Sequence, residues 1–411
     1  MIDEIIIFLA ISGIIFFGFG GEFFFQKTRI SYYLFLILIG IILGPIFHIF
    51  PRDIMVPILG FFSSFTLIMI MFYSGMDMKI SEVIKHSGRT LLHVVIYVVS
   101  SIFTIGLFGH FVMGWDLVQS MIFGSMVGGE TTAAVVIPLT RNLKLHDRTI
   151  TFLTLESTIN TIFSIVFFTA FLDLHKNGTT SLIIPLVSIG ENFLFGIIIG
   201  IVFSISWLFV LRFLRDFKYT YVFTLGLLFL TYSITQILHG NGIIAVLIFG
   251  LFISNEKSIL TFLRQQFTIS DMRVHFTKFQ SEMSFLMETF FFVFLGLTFL
   301  IDQQQILTDL GVGLACVAIL LCFRFVATRI STRKSDLSKD KNLIVLICAQ
   351  GIVPATLSII AINEGLPLAN TFLNLTVYVI ILTNIITTVG VLWVTRRTLK
   401  QQDDKHDYPH S

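Results

Sequence analysis

Apolar runs, most of them about 17–25 residues long and each able to cross ~30 Å of hydrocarbon, follow one another along the whole chain. Thirteen are found, at roughly 4–25, 31–50, 54–75, 90–113, 117–140, 149–172, 188–211, 219–237, 240–255, 283–301, 308–330, 343–362 and 369–395. Inside lipid every backbone N–H and C=O must find its partner within the protein, which leaves helices or a closed barrel. Runs of this length fit helices, so the fold expected is an all-α polytopic membrane protein with about thirteen transmembrane helices. The composition agrees: 13% of the 411 residues are charged and 55% hydrophobic, against about 25% charged in soluble domains. The run from Ser181 to Arg212 is too long for one perpendicular crossing, so its start is expected at the interface or in a loop.

Positive charge orients the chain. Of the 27 Lys and Arg residues, 24 fall on one set of alternating segments, Arg52 and Lys176 on the other, and Arg324 inside a run. An odd number of crossings with the N-terminus outside and the C-terminus cytoplasmic follows, in a multi-pass protein of the cell membrane. Met1-Ile2-Asp3-Glu4 lacks a basic n-region, so the first run is not expected to be a removable signal. No segment offers a soluble domain; a short cytoplasmic tail occupies 398–411. Cys316, Cys322 and Cys348 lie within runs without ligand spacing and read as packing residues. Seven of the ten histidines, His48, His86, His93, His110, His146, His239 and His275, are scattered along the chain without shared ligand spacing. The basic loops are explained by topology, and nothing points to nucleic acid or to a cofactor.

Two runs are interrupted, the fifth at Gly128-Gly129-Glu130-Thr131-Thr132 and the twelfth at Gln350-Gly351-Ile352-Val353-Pro354. The Gly-rich second run, Gly40-Ile41-Ile42-Leu43-Gly44-Pro45, has a loose counterpart in the ninth, Ile244 to Leu251. Both correspondences are offset by seven runs, and an odd offset means opposite orientation. The chain therefore divides as repeat one at about 4–172, a linker helix at about 188–211 and an inverted repeat two at about 219–395, within one membrane domain over 1–397. Matching broken helices in two halves are a sequence pointer to a transporter site.

An ionisable group at membrane depth costs roughly 2.5 kcal/mol or more and marks a candidate site. At ~1.5 Å per residue, Glu130, Asn160, Thr161, Gly351 and Pro354 fall near the middle of the bilayer, with Glu156 about one turn nearer the cytoplasm. Glu156 and Asn160 share a helix face at i, i+4, as do Ser157 and Thr161. A carboxylate, an amide oxygen and two hydroxyls are hard ligands suited to a hard cation. Desolvation favours the protonated form of a carboxyl group in general, so a proton and a cation can compete for one at this depth. The alternative is that Glu156 is a neutral or interhelical hydrogen-bonding staple. Glu130 sits where the helix is expected to unwind, with Gly128 and Gly129 freeing carbonyls and Thr131 beside it; the bland alternative is a neutral cap on broken backbone. Arg324 and Glu288 lie at similar depth on consecutive antiparallel runs, as a structural or coupling ion pair. Gly40-x3-Gly44, Gly124-x3-Gly128 and Gly196-x3-Gly200 fit close helix packing and weakly suggest dimerisation.

Taken in order along nearly the full length, these segments resemble the monovalent cation/proton antiporter superfamily, the sodium/hydrogen exchanger-like membrane domain. Gly40 to Pro45 looks like its early Gly-Pro signature, Phe72 to Asp77 like the end of its next helix, and Gly128 to Val136 occupies its first unwound crossover. Phe290-Phe291-Phe292-Val293-Phe294-Leu295-Gly296-Leu297 and Arg324 match later helices. Glu156-Ser157-Thr158-Ile159-Asn160-Thr161 is similar to the family's Glu-Ser-x-x-Asn-Asp motif, with Thr161 in place of the usual ion-binding Asp. A second Asp of the crossover is replaced by Thr131, and Gln350 stands where many relatives carry Arg.

The resemblance implies an inverted-repeat antiporter fold with two broken crossing helices. It also implies a core domain moving against a dimerisation domain, and a homodimer. The function expected is exchange of a monovalent cation, Na⁺ before K⁺ or Li⁺, for protons by alternating access. Glu156 and Glu130 would titrate and hold the cation, with Asn160, Thr161, Ser157 and Thr131 as neutral ligands and Gly128, Gly129, Gly351 and Pro354 shaping the broken backbone. The rivals are a transport-silent sensor or scaffold, and a symporter or channel-like conductor. No pattern argues for an enzyme.

Overall fold

The computed structural model describes residues 2–28, 30–50, 52–132, 147–178, 183–213, 217, 219–264 and 270–406. Among them there is no strand. The helices are α1 (Ile2–Thr28), α2 (Tyr32–Ile41), α3 (Arg52–Asp77), α4 (Ile80–Val94), α5 (Ser100–Phe111), α6 (Leu117–Val127), α7 (Asp147–Asn177) and α8 (Ile183–Phe213). They continue with α9 (Thr220–Ile237), α10 (Gly242–Ser254), α11 (Glu256–Phe262), α12 (Ser270–Thr298), α13 (Ile306–Ser331), α14 (Lys341–Leu346), α15 (Ile352–Asn363) and α16 (Ala369–His406). Each of the thirteen apolar runs overlies a helix. Nine described helices are long and apolar enough to cross a membrane, and the bent α10–α11 pair makes a tenth. The second, fifth and twelfth runs fall on shorter apolar helices, Tyr32–Ile46, Leu117–Val127 and Ile352–Asn363. The seventh run is one continuous helix from Ile183 onward; at ~1.5 Å per residue its 31 residues exceed the hydrocarbon thickness. A loop at 183–189 is thereby replaced by helix, because an apolar stretch satisfies its backbone more readily by continuing the ladder.

The helices sort into two packed groups. In one, α12 lies against α1, α2 and α3, while α10 lies against α3, α8 and α9. In the other, α4, α5, α6 and α7 pack in sequence, and α13 to α16 close around them through α13 on α4, α13 on α16 and α15 on α6 and α7. The groups meet chiefly where α3 touches α15 and α7 touches α8. Apolar side chains such as Phe8, Phe16, Phe213, Phe262 and Leu307 are exposed, whereas Glu130, Glu156 and Arg324 are buried. That inversion is what lipid selects, since oily tails solvate the outside and polar groups must be satisfied within.

Close helix approach explains the glycine patterns. A side chain on Gly40 would collide with the Val293 carbonyl and the Gly296 backbone of α12, and one on Gly75 with the Leu247 carbonyl of α10. Gly44 likewise faces Leu297, Gly124 faces α5, and Gly196 and Gly200 face α10. These small residues serve contacts inside the chain, as expected where packing rather than water drives helices together.

Candidate functional site

Two helices break at one level. After Val127 the backbone leaves the helix through Gly128, and Gly129 takes φ +120°, a conformation open in practice only to glycine. A Cβ there would also press on the Tyr97 ring at 3.1 Å. On the other chain segment α14 stops at Leu346 and α15 starts at Ile352. The two breaks cross: Thr132 N–H donates to the Ala349 carbonyl at 2.9 Å, Gly351 N–H to Glu130 Oε2 at 3.1 Å, and Gln350 Nε2 to the Val127 carbonyl at 2.7 Å. A side chain at Gly351 would meet Thr132 at 2.7 Å, so the crossing is this close only because residue 351 is glycine. Pro354 sits in the first turn of α15, where its missing N–H leaves no gap in the ladder.

Polar groups of α16 repair the second break. Gln350 N–H donates to Thr383 Oγ1 at 3.2 Å, Cys348 N–H to Thr387 Oγ1 at 3.0 Å, and Asn384 Nδ2 donates to the Gln350 carbonyl at 2.7 Å. Sequence reasoning missed these three residues. Their signal was available as a polar Thr383, Asn384, Thr387 stripe inside the last apolar run.

Glu156 is wholly buried and fully occupied. Arg324 Nη1 and Nη2 donate to its two oxygens at 2.6 and 3.0 Å, and Thr131 Oγ1 and Asn160 Nδ2 donate to Oε1 at 3.1 and 3.4 Å. Asn160 Nδ2 also reaches Thr131 Oγ1 at 2.6 Å and the Gly129 carbonyl at 3.2 Å, tying α7 to the first break. The guanidinium is fixed by a bond from Nε to the Ile344 carbonyl at 2.9 Å and by the Tyr97 ring 5.0 Å away. His93 Nε2 stands 3.9 Å from Glu156 Oε1. A bidentate pair with these extra bonds makes burial of both charges tolerable.

The expected Arg324–Glu288 pair is therefore not formed. Equal depth placed the two side chains at one height but could not say which faces meet. α13 packs mainly on α4, α5, α14 and α16, while α12 packs on α1, α2 and α3. Glu288 instead accepts from the phenols of Tyr32 and Tyr33, the latter at 3.0 Å, all through Oε2.

Between the two helix groups lies a cavity of about 210 Å³. Its walls carry four carboxylates, Glu22, Asp77, Glu130 and Glu288, and among the described residues no Lys, Arg or His. Thr132, Ser157, Thr158 and Thr161 add hydroxyls, and Ile352 and Val353 supply an apolar patch. Glu130 is 2% exposed, and Gly351 N–H is its one hydrogen-bond donor among the described residues. Of the sequence-predicted residues, then, Glu130, Ser157 and Thr161 line the cavity. Glu156, Asn160 and Thr131 form the network behind it, and Gly128, Gly129, Gly351 and Pro354 belong to the breaks. Oxygen donors around an uncompensated negative charge suit a hard cation or a proton.

Comparison with known proteins fits this geometry. The transmembrane sodium/hydrogen exchanger family matches residues 9–397. Proteins named K⁺/H⁺ antiporter NhaP2, from Shewanella baltica (strain OS223) and Shewanella sp. (strain ANA-3), are 27% and 26% identical over 270 residues. That stretch is 64% of this chain and 44% of each relative, so the match spans less than half the length of those proteins. Two structures of the sodium proton antiporter MjNhaP1 from Methanocaldococcus jannaschii superpose with TM-scores of 0.74 and 0.73 at 21% and 20% identity. The first, determined at pH 8, covers 95% of this chain and 97% of its own, the second 99% of each. The fold is the antiporter fold, and the chain, a multi-pass membrane protein, belongs to the sodium/hydrogen exchanger transmembrane family.

Proposed function

We propose that the protein exchanges a monovalent cation, Na⁺ before K⁺ or Li⁺, for protons by alternating access, with Glu130 as the principal titrating ligand. The observation that carries this reading is the cavity: four acidic walls, no described base, and Glu130 at the crossing of the two breaks. A carboxylate with one backbone donor can exchange a proton for a cation without dismantling other bonds. Glu156 has the opposite character, with both oxygens committed to Arg324. In this reading Glu156 and Asn160 hold the first break in shape, Asn160 taking up the Gly129 carbonyl, and the cavity-lining Ser157 and Thr161 complete the cation's shell. Thr131 belongs with the hub rather than with the shell.

The mobile unit is the group holding α4 to α7 and α13 to α16, working against the group of α1 to α3 and α8 to α12. The two inverted repeats contribute one break each, and the assembly is a homodimer in the cell membrane. The cavity reaches Asp77 at the end of α3, next to the basic segments, which supports an inward-open state.

The test is proton movement in proteoliposomes loaded with a pH dye, with imposed Na⁺, K⁺ or Li⁺ gradients. Cation-driven proton flux, strongest with Na⁺, is expected. Sealed vesicles holding folded protein that move no protons for any cation would leave the transport-silent alternative standing.

A further inference from the structure

The cavity holds a second deeply buried carboxylate that sequence reasoning assigned to Arg324 and that the structure releases from that role. Glu288 is 6% exposed, lines the same cavity as Glu130, and belongs to the other helix group. Both of its hydrogen bonds among the described residues, from Tyr32 and Tyr33, end on Oε2, so Oε1 carries none. Glu130 repeats this pattern, with Gly351 on Oε2 and no described donor on the other oxygen. Two buried carboxyl groups, one from each helix group, thus keep an unpartnered oxygen in one small cavity.

The phenols are themselves built in. Tyr33 stacks on Phe292 with ring centroids 4.0 Å apart, Tyr32 sits 4.4 Å from Tyr33 and 6.1 Å from Phe285, and both tyrosines are buried. A Tyr–Tyr–carboxylate clamp of this kind stabilises a charged Glu without neutralising it, unlike an arginine.

Resting on the antiport reading, we propose that Glu288 is a second cation-facing carboxylate of the transport cavity. It draws the ion from the cavity mouth toward Glu130 and loses that capacity when it takes a proton. The two phenols hold one oxygen still and leave the other to the ion. The titratable groups facing it are Glu22 from α1, Tyr32 and Tyr33 from α2, Tyr73 and Asp77 from α3, and Glu130 from the break; α7 brings hydroxyls and α15 apolar side chains. With no described base among them, a bound cation or a proton is what relieves their mutual repulsion.

The experiment compares wild type, Glu288→Gln, Glu288→Asp, Tyr32→Phe and Tyr33→Phe in two assays. The first is cation-driven proton flux in proteoliposomes at several pH values; the second is the shift in unfolding temperature with added Na⁺ in detergent. Glu288→Gln is expected to raise the cation KM about tenfold and flatten its pH dependence, with the maximal rate within about twofold. Its thermal shift should need about ten times more Na⁺. Glu288→Asp should fall between the two. Each Tyr→Phe variant loses one hydroxyl and keeps the packing; it should move the pH at which KM rises upward, because the charged form loses a donor. A Glu288→Gln protein with wild-type KM, pH profile and Na⁺ shift overturns the proposal, as does one whose rate alone falls. Should wild type move no protons with any cation, the antiport reading fails, while the Na⁺ shift still decides whether Glu288 faces a bound ion.

Discussion

Glu130 and Glu156 are the same residue type, buried at neighbouring depths, and the fold gives them opposite surroundings. Glu156 receives four hydrogen bonds, two from the guanidinium of Arg324. Glu130 receives, among the described residues, a single bond from a backbone N–H and lines a cavity without a described base. On the proposed reading the first is a structural hub whose charge is spent, and the second a charge kept available. A buried acid marks a functional region, but only its partners say whether it holds the protein together or holds the substrate.

The comparison breaks first at the hub. Arg324→Leu should cost about 3–5 kcal/mol by leaving Glu156 charged and unpaired, seen as a large fall in unfolding temperature and in folded yield. The double variant Arg324→Leu/Glu156→Leu should cost less than the sum of the single changes, and additive costs would mean the two side chains do not act as a pair. A smaller effect is expected at the breaks. Gly129→Ala forces a side chain into a left-handed conformation against Tyr97, at about 1–3 kcal/mol, and should slow transport through the distorted crossing. Smaller still is Asn384→Ala, which removes the donor to the Gln350 carbonyl and should cost about 1 kcal/mol. A hub-like role for Glu130 would instead show as a stability loss in Glu130→Gln close to that of Arg324→Leu. Acidification adds a sign test: cation affinity in wild type should weaken as pH falls, because each proton bound removes a ligand.

Much of this was legible in the chain. The run lengths gave the helices, Gly128-Gly129 and Gly351 with Pro354 marked both breaks, and the depth count put Glu156 about one turn from Glu130. The partner of Arg324 was not legible, because it lies 168 residues away on α7. Depth fixes height along the membrane normal, but helices that are apolar on most faces do not announce which neighbour they meet. For the same reason the clamp on Glu288 from α2, 255 and 256 residues distant in sequence, was invisible. Thr131 and Thr161, at positions where the family resemblance implies Asp, are what raised the question of Glu130 in the sequence. They drew attention to Glu130 as the acid standing in an unusual place.

The most direct measurement is cation-driven proton flux through Glu130→Gln, with its folding checked by unfolding temperature and monodispersity in detergent. The account predicts a folded protein with flux reduced at least about a hundredfold, a loss of ~2.7 kcal/mol of driving interaction or more. Flux at the wild-type rate in that variant, with the same pH dependence, would contradict it.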